Sequence, residues 1–321
     1  MLYEFSDIID PKDLPRKLSD LKWHITGFVD GDGSFPVVLS PDPAKRYGWL
    51  IQPRFEIELR RQPDSRTMLK VVCRAIGMKS KIFEGEDYVK LIVTNRRLLR
   101  EKVLTFFSEY QPVLKRDKLE LMKYVVNALE AKKHLEYEGF KGIVRRIYSL
   151  PVDGETRRKW SINDLIQGEK LPAVQRKLPL IFPEGTTAQK HYVIGFIDAE
   201  GTLGFAINDE TRSITPYLTV THREHEMLSR VQQVIGCGRI STGRLQVYGV
   251  EDILGKVVPF IDDQKLIVRR TVYEEFKRVL TMVVKGEHRK DFKRVEASAR
   301  SLNRRLGAPQ RPYAGHPSEE G

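Results

Sequence analysis

At 321 residues the chain has room for two domains, each with its own core, and its 40% hydrophobic content fits a globular protein. Lys+Arg 55 against Asp+Glu 43 leaves a net charge of +12, so a polyanion is the expected partner. Two cysteines, Cys73 and Cys237, are too few for a disulfide framework or a four-thiolate zinc site, and no apolar run reaches the length of a membrane span.

The start, Met1-Leu2-Tyr3-Glu4-Phe5-Ser6-Asp7, lacks the basic-then-apolar pattern of a signal peptide and the Arg-rich character of a transit peptide. The chain is therefore expected to work where it is made, in an organelle or a prokaryotic cytoplasm. Residues 1–20 read as a lead-in, because Asp10-Pro11 and Leu14-Pro15 discourage regular structure. A helix is predicted over 21–31, capped by Ser19 or Asp20 and stopped at Gly33. It carries Ile25-Thr26-Gly27-Phe28-Val29-Asp30-Gly31-Asp32-Gly33 and runs into strand-like sequence from Ser34. Residues 50–60 alternate, with Ile51, Phe55, Ile57 and Leu59 against Gln52, Arg54, Glu56, Glu58 and Arg60, the pattern of a half-buried strand. A helix over 67–76, a hairpin over 81–94 and helices over 96–110 and 115–132 follow.

The same order returns after residue 190. Val193-Ile194-Gly195-Phe196-Ile197-Asp198-Ala199-Glu200-Gly201 echoes the first motif and is again followed by alternating sequence. Strand 214–221, helix 226–235, hairpin 239–249 and a helix over 265–284 come next. Asp32 pairs with Glu200, Pro53 with Pro216, Gly77 with Gly236 and Pro112 with Pro259, in order and at slowly shrinking offsets, as an internal duplication predicts. Residues 1–20 are thus a lead-in, 21–130 a first repeat, 131–188 a basic connector with a short helix, and 189–286 a second repeat. Residues 287–321 form a basic tail, expected to be disordered from Pro309-Gln-Arg-Pro-Tyr-Ala-Gly-His-Pro onward. The connector includes Thr156-Arg-Arg-Lys-Trp160, which could touch phosphate.

Gly27 and Gly31 share one helix face, as do Gly195 and Ala199. Such faces let two helix backbones approach closely. The two helices are expected to pack and to bring their C-terminal ends, with Asp32 and Glu200, to one point. Carboxylates added to the partial negative charge of helix C-termini need a cation, and hard oxygen ligands suit Mg²⁺ or a similar ion. A divalent ion there could activate water and stabilise the leaving oxygen of a phosphodiester. Asp30 and Asp198 point elsewhere and are expected to make structural polar contacts.

The two motifs, each followed by a strand and a matching repeat, resemble those of the LAGLIDADG homing endonucleases, in the single-chain, two-motif form. The resemblance covers residues 20–130 and 190–285. It implies an α+β fold of two pseudo-symmetric αββαββα repeats, each with a four-stranded antiparallel DNA-binding sheet, packed through the motif helices. It implies Asp32 and Glu200 as metal-binding acids, assisted by the carbonyls of Gly31 and Ala199. The metal would be Mg²⁺, with Mn²⁺ as a substitute and Ca²⁺ giving a non-cleaving state. Catalytic lysines are expected near the start of each repeat's last helix, where Lys118 and Lys265 match best, both counted from the paired prolines, with Lys115 as an alternative to Lys118.

The polar strand faces become the DNA-reading surface: Gln52, Arg54, Glu56, Glu58, Arg60 and Lys90 in the first repeat. In the second they are Asn208, Tyr217, Thr219, Thr221, Arg244, Gln246 and Tyr248. Arg and Gln can bind G and A edges, and carboxylates can accept from cytosine. The halves differ, so the target should be asymmetric, and strands of this length imply about 20 bp. Pro36, Val38 and Ser40 depart from the usual polar face. The implied activity is metal-dependent, site-specific cleavage of both DNA strands by a monomer, encoded in an intron. An RNA-binding maturase acting on a host intron, alone or alongside cleavage, is the alternative.

Overall fold

The computed structural model describes residues 2–151, 158–174 and 177–306. Thr156 and Arg157 of the connector, and the Pro-rich end expected to be disordered, lie outside the described residues. The chain divides into two compact units. One comprises Met1–Gly31, Gln62–Met68 and Gly185–Gly321, and the other Asp32–Arg61 and Leu69–Glu184. Among the described residues no helix is long and apolar enough to cross a membrane.

After two short 3-10 turns, α1 runs over Leu18–Asp32. The first sheet section follows: β1 (Gly33–Ser34), β2 (Val37–Pro41), β3 (Trp49–Pro53) and β4 (Phe55–Arg60). Then come α2 (Ser65–Ile76), β5 (Ile82–Glu84) and β6 (Tyr88–Val93). A helical run of α3 (Arg96–Leu98), a wider π-type stretch (Leu99–Leu104) and α4 (Thr105–Glu109) leads to α5 (Arg116–Glu130). The sequence predicts single strands over 34–39 and 50–60, but each is broken. Pro36 has no N–H to give the ladder, and the Arg54 amide donates to the Pro36 carbonyl at 2.9 Å. Beyond that point β2 and β3 pair only with each other, while β1 joins a four-stranded antiparallel sheet of order β1-β4-β6-β5.

In β4, Phe55, Ile57 and Leu59 are buried and Glu56, Glu58 and Arg60 face outward, as the alternation requires. Phe35, Phe55 and Phe107 pack ring to ring beneath this sheet, with centroids 5.1–5.6 Å apart. The connector stretch contains α6 (Tyr137–Tyr148) and α7 (Ile162–Leu165). Phe140, Ile143, Val144 and Ile147 recur at helical spacing on α6 and are buried against Leu121, Val125 and Leu129 of α5, with Val37 and Leu39 of β2 packed on that cluster. Pro36, Val38 and Ser40 alternate with these residues onto the other face of the strand, and this packing does not account for them.

The second repeat opens with α8 (Thr186–Glu200), as long as α1 at 15 residues. Here the position matching Pro36 is Gly204, and β7 (Gly201–Asn208) and β8 (Ser213–Thr221) run unbroken. With α9 (His225–Ile235), β9 (Arg239–Ser241) and β10 (Arg244–Tyr248) they form a sheet of order β7-β8-β10-β9, the same order as the first. Next come α10 (Val250–Asp252), a π-type stretch (Ile253–Val257), α11 (Val258–Gln264) and α12 (Arg270–Val284). Finally α13 (Glu287–Lys290) and α14 (Phe292–Leu306) occupy the stretch read as a tail. Phe292, Val295, Ala299 and Leu302 form the buried stripe of α14. The Asn303 side chain donates to the Phe205 carbonyl and accepts from the Phe205 amide, taking the place of a missing strand neighbour on edge strand β7.

From the start of α3 the two repeats match at a constant offset of 154 residues: α5 spans 116–130 and α12 spans 270–284 (270 − 116 and 284 − 130). Both π-type stretches begin on it, at Leu99 and Ile253, and Lys132 (φ 56°) and Gly286 (φ 68°), which turn the chain after each long helix, keep it. The amphipathic helices α6 and α14 therefore correspond, and after its second hairpin each repeat carries a helical run, a long helix and an amphipathic helix, two helices more than αββαββα.

Candidate active site

The apolar, β-branched-rich motif helices are buried nearly all round: Ile25, Phe28, Val29, Val193, Ile194 and Phe196 have no exposed surface. They cross at their glycines. A Cβ on Gly27 would lie 1.9 Å from the Tyr192 carbonyl oxygen, and one on Gly195 would lie 1.9 Å from that of His24. The polar residues of the crossing are satisfied across the helix pair. The Tyr192 hydroxyl on α8 donates to Asp30 of α1 at 2.6 Å, and His24 of α1 lies 3.1 Å from Asp198 of α8. His24 and Tyr192 hold matching positions, as do Asp30 and Asp198, so the two bonds are a pseudo-symmetric exchange. The structural role expected of both aspartates is what they have.

Near the start of α8, His191 sits 3.5 Å from Asp20, yet burial holds its imidazole down at about 4. The folded state thus gives up a proton that the unfolded chain keeps, its ordinary value being 6.5. Stability should be lost as pH falls from 6.5 toward 4, by at most about 1.4 kcal/mol per pH unit. Thermal midpoints measured across that range should drop more steeply for the wild type than for His191→Gln.

Asp32 is the last residue of α1 and Glu200 the last of α8. At the end of α8 the Glu200 side chain lies beside Gly31, where a Cβ would stand 3.2 Å from Glu200 Cγ and 3.6 Å from its Oε1. Carbonyl and carboxylate oxygens therefore dominate this point, and the two thiols, Cys73 and Cys237, are buried, with burial raising both above their ordinary value. Among the described residues no cluster of three or more His, Cys, Asp or Glu could hold a metal by itself. Such a donor set fits a hard cation that takes one or two carboxylates and completes its shell with substrate phosphate and water, the habit of Mg²⁺.

The basic residues are arranged differently from the expectation. Lys118 lies in the first turn of α5 and donates to the Pro151 carbonyl at 2.9 Å. Lys265 is the C-cap of α11, with φ 71°, five residues before α12 begins. The two are not equivalent positions. The equivalent pair is Lys115 and Arg269, the N-cap residues of α5 and α12, whose backbone angles nearly coincide at φ −103°, ψ 18° and φ −106°, ψ 15°. Both reach the end of a motif. Lys115 donates to the Gly33 carbonyl at 2.5 Å, while Arg269 donates from Nε to the Asp198 carbonyl at 2.8 Å and from a terminal nitrogen to the Ala199 carbonyl at 2.6 Å. The Ala199 carbonyl, expected to assist a metal, is thus already charge-compensated by a guanidinium.

On the first sheet the predicted polar face forms one hydrogen-bonded array. Arg54 donates to Gln52 and Glu56, and Lys90 pairs with Glu58 at 2.9 Å and with Glu56 at 3.9 Å. The hydrogen bond that Lys90 donates to Glu58 is the main reason its ammonium titrates above the usual range. Strand register adds Ile92, opposite Glu56, and the exposed Tyr88, opposite Arg60. On the second sheet Thr219, Thr221, Arg244, Gln246 and Tyr248 line a polar groove with Thr202, Asn208 and, from α14, Arg300 and Arg304. Tyr217 also lines this groove, but it is 9% exposed, with its ring tilted against that of Tyr248 at 5.6 Å, and offers little surface to a ligand. The arginines of α14 escaped the sequence reading because only their helical spacing pointed to a packed element.

Residues 25–125 match the LAGLIDADG endonuclease family model. A protein described as probable intron-encoded endonuclease 2 of Neurospora crassa is 25% identical over 82% of this chain, and the match spans 60% of that relative's length. Probable intron-encoded DNA endonuclease 1 of Mycosarcoma maydis is 25% identical over 80% of the chain and 98% of its own length. Among solved structures, the I-LtrWI LAGLIDADG homing endonuclease bound to target DNA superposes with a TM-score of 0.76 at 19% identity, covering 92% of this chain and all of that one. Two motif helices crossing at glycines, each ending in an acid and feeding a four-stranded sheet of the same order, agree with that match: residues 25–125 carry a LAGLIDADG endonuclease domain, and the chain as a whole has the fold of the two-domain LAGLIDADG homing endonucleases.

Proposed function

We propose that this protein is a site-specific homing endonuclease that hydrolyses both strands of a long, asymmetric DNA duplex in a divalent-metal-dependent reaction, and that it is encoded in an intron. The observation that carries this reading is the pair of 15-residue helices, each buried nearly all round yet closing on a carboxylate, Asp32 and Glu200. A fold gains no stability from placing a carboxylate among helix C-terminal carbonyls. A cation-dependent reaction explains it.

Asp32 and Glu200, with the Gly31 carbonyl, would hold the metal. When bound, a divalent cation supplies Lewis-acid stabilisation of the phosphodiester and a more acidic water. The chain's own residues bind and orient the DNA. Lys115 fits the role of the basic residue beside the reacting phosphate better than Lys118, because it reaches the backbone next to Asp32. Lys265 has no such support.

The outward faces of the two sheets would read the duplex. Matching positions differ in chemistry: Glu56 against Thr219, Glu58 against Thr221, Lys90 against Arg244 and Ile92 against Gln246. A charged first half and a hydroxyl-rich second half call for an asymmetric target. Strand β8, with nine residues, spans about 30 Å, close to a turn of duplex, so two halves imply about 20 bp. One chain carries both motifs, and a monomer suffices.

Phosphate contacts from so basic a chain should make binding salt-dependent. Affinity measured with Ca²⁺ in place of Mg²⁺ is expected to fall by about 10³-fold or more between 50 and 200 mM salt. The cleavage reading is tested by incubating the protein with Mg²⁺ and a duplex library. Discrete double-strand breaks at one sequence support it, and random nicking or none contradicts it.

A further inference from the structure

The groove on the second sheet has a wall that the sheet does not supply. About 640 Å³ in volume, it is bounded by Thr202, Thr219 and Gln246 of the strands and by Arg300, Asn303 and Arg304 of α14. These three lie at i, i+3 and i+4 and share one flank of the helix, while Phe292, Val295, Ala299 and Leu302 turn toward the core.

Gly204 shows on which side of β7 the end of α14 stands. It falls between Thr202 and Ala206 in the alternation of the strand and pairs with Tyr217, as Thr202 pairs with Thr219. A side chain at Gly204 would therefore point to the outward, polar face. A Cβ there would lie 2.7 Å from the Tyr217 hydroxyl oxygen and 2.9 Å from Asn303 Oδ1. Asn303 thus stands over that face, tied to the edge strand by its two bonds to Phe205. Arg300 adds a second tie, to Asp209 just past the end of β7, at 2.8 and 3.0 Å.

The two arginines differ in charge balance. Arg300 gives Nε to Glu296 and a terminal nitrogen to Asp209, so two carboxylates hold it. Arg304 is exposed, and no acid pairs with it among the described residues. Such a side chain contributes little to the fold. Beside a groove for a polyanion it offers a planar, permanently charged fork that matches phosphate.

We propose that the C-terminal end of α14 belongs to the DNA interface of the second sheet, and that Arg304 binds a backbone phosphate of the duplex there. The proposal rests on the endonuclease reading for the identity of its ligand. A sheet that reads base edges enters the major groove, and the backbone bordering that groove passes the edge of the sheet. That edge is β7, to which α14 is bonded. A phosphate contact there sets the register of the protein on the duplex and reads no base.

Binding of the full chain to a duplex that the wild type cuts is measured over a range of salt, with Ca²⁺ in place of Mg²⁺. Arg304→Gln should make the slope of log affinity against log salt shallower by about 0.9, the share of one phosphate. Its affinity should fall by the same factor for the target and for duplexes with single base-pair changes. Arg305→Gln is the control, because it removes the same charge one residue away, where Arg305 pairs with Glu275 of α12. Its slope should stay at the wild-type value. Equal slopes for the two variants overturn the proposal, as does a loss confined to the target sequence.

A second measurement locates the contact. Methylphosphonates, each removing one phosphate charge, are placed singly along the duplex. At one position, or two neighbouring ones, the penalty seen with the wild type should vanish in Arg304→Gln. Unchanged penalties at every position overturn the proposal. A wild type that binds duplex yet cuts none refutes the endonuclease reading instead, and the salt comparison on that duplex then decides the role of Arg304.

Discussion

Asp32→Asn and Glu200→Gln are each expected to lower the cleavage rate by at least about 10³-fold, a loss of about 4 kcal/mol of transition-state stabilisation, with DNA affinity retained. The argument is electrostatic. Each substitution keeps the size and hydrogen-bonding reach of the side chain and removes the charge that would hold a divalent cation. Binding, in contrast, would come from the basic and polar groups on the sheets, which neither substitution touches, and loss of a negative charge at the motif ends would favour phosphate. Filter binding in Ca²⁺ and a plasmid-cleavage time course in Mg²⁺ separate the two effects. The neighbouring acids make the control. Asp198→Asn should act through stability, because it weakens the bonds to three amides and His24 and leaves a buried site poorly matched to its donors.

Gly195→Val and Gly27→Val are expected to prevent folding of the unit that contains both motif helices. A Cβ at either position meets a backbone carbonyl oxygen at 1.9 Å. No rotamer change relieves a clash with backbone, so the helices must separate and open the layer formed by Ile25, Phe28, Val193 and Phe196. Even Gly195→Ala should cost about 3 kcal/mol, the upper end of what overpacking usually costs. Gly255→Ala is the control, since a Cβ there meets nothing within 4 Å. Urea denaturation should show a lowered midpoint for the first substitution and a near-unchanged one for the second.

Much of this was legible in the sequence because the relevant physics is local. A small-residue helix face with a terminal acid, repeated once, points to paired helices, and the alternation in 50–60 and 214–221 shows which strand face is buried. What was not legible depended on register between distant segments. Pro112 and Pro259 look like equivalent breaks, but Pro259 lies inside the continuous helical run over 250–264, directly after the π-type stretch, and does not end it. Counting from it placed Lys265 where Arg269 belongs and hid the match between Arg269 and Lys115. Pro36 splits the first hairpin through a lost ladder bond whose partner, Arg54, is set by tertiary pairing. Helices α6 and α14 carried their apolar stripes in plain sight at 140, 143, 144 and 147 and at 292, 295, 299 and 302. Their many basic residues, which face solvent or acidic partners such as Glu169 and Asp209, drew the reading toward linker and tail.

The central claim is that two acids, one from each motif, make this chain a sequence-specific nuclease. It is tested most directly by sequencing the ends released from a large randomised duplex library by the wild type and by the Asp32→Asn/Glu200→Gln double variant, both in Mg²⁺. The wild type should release ends that align on one asymmetric sequence, and the double variant should release none. Ends without a shared sequence, or cutting that survives in the double variant, would contradict it.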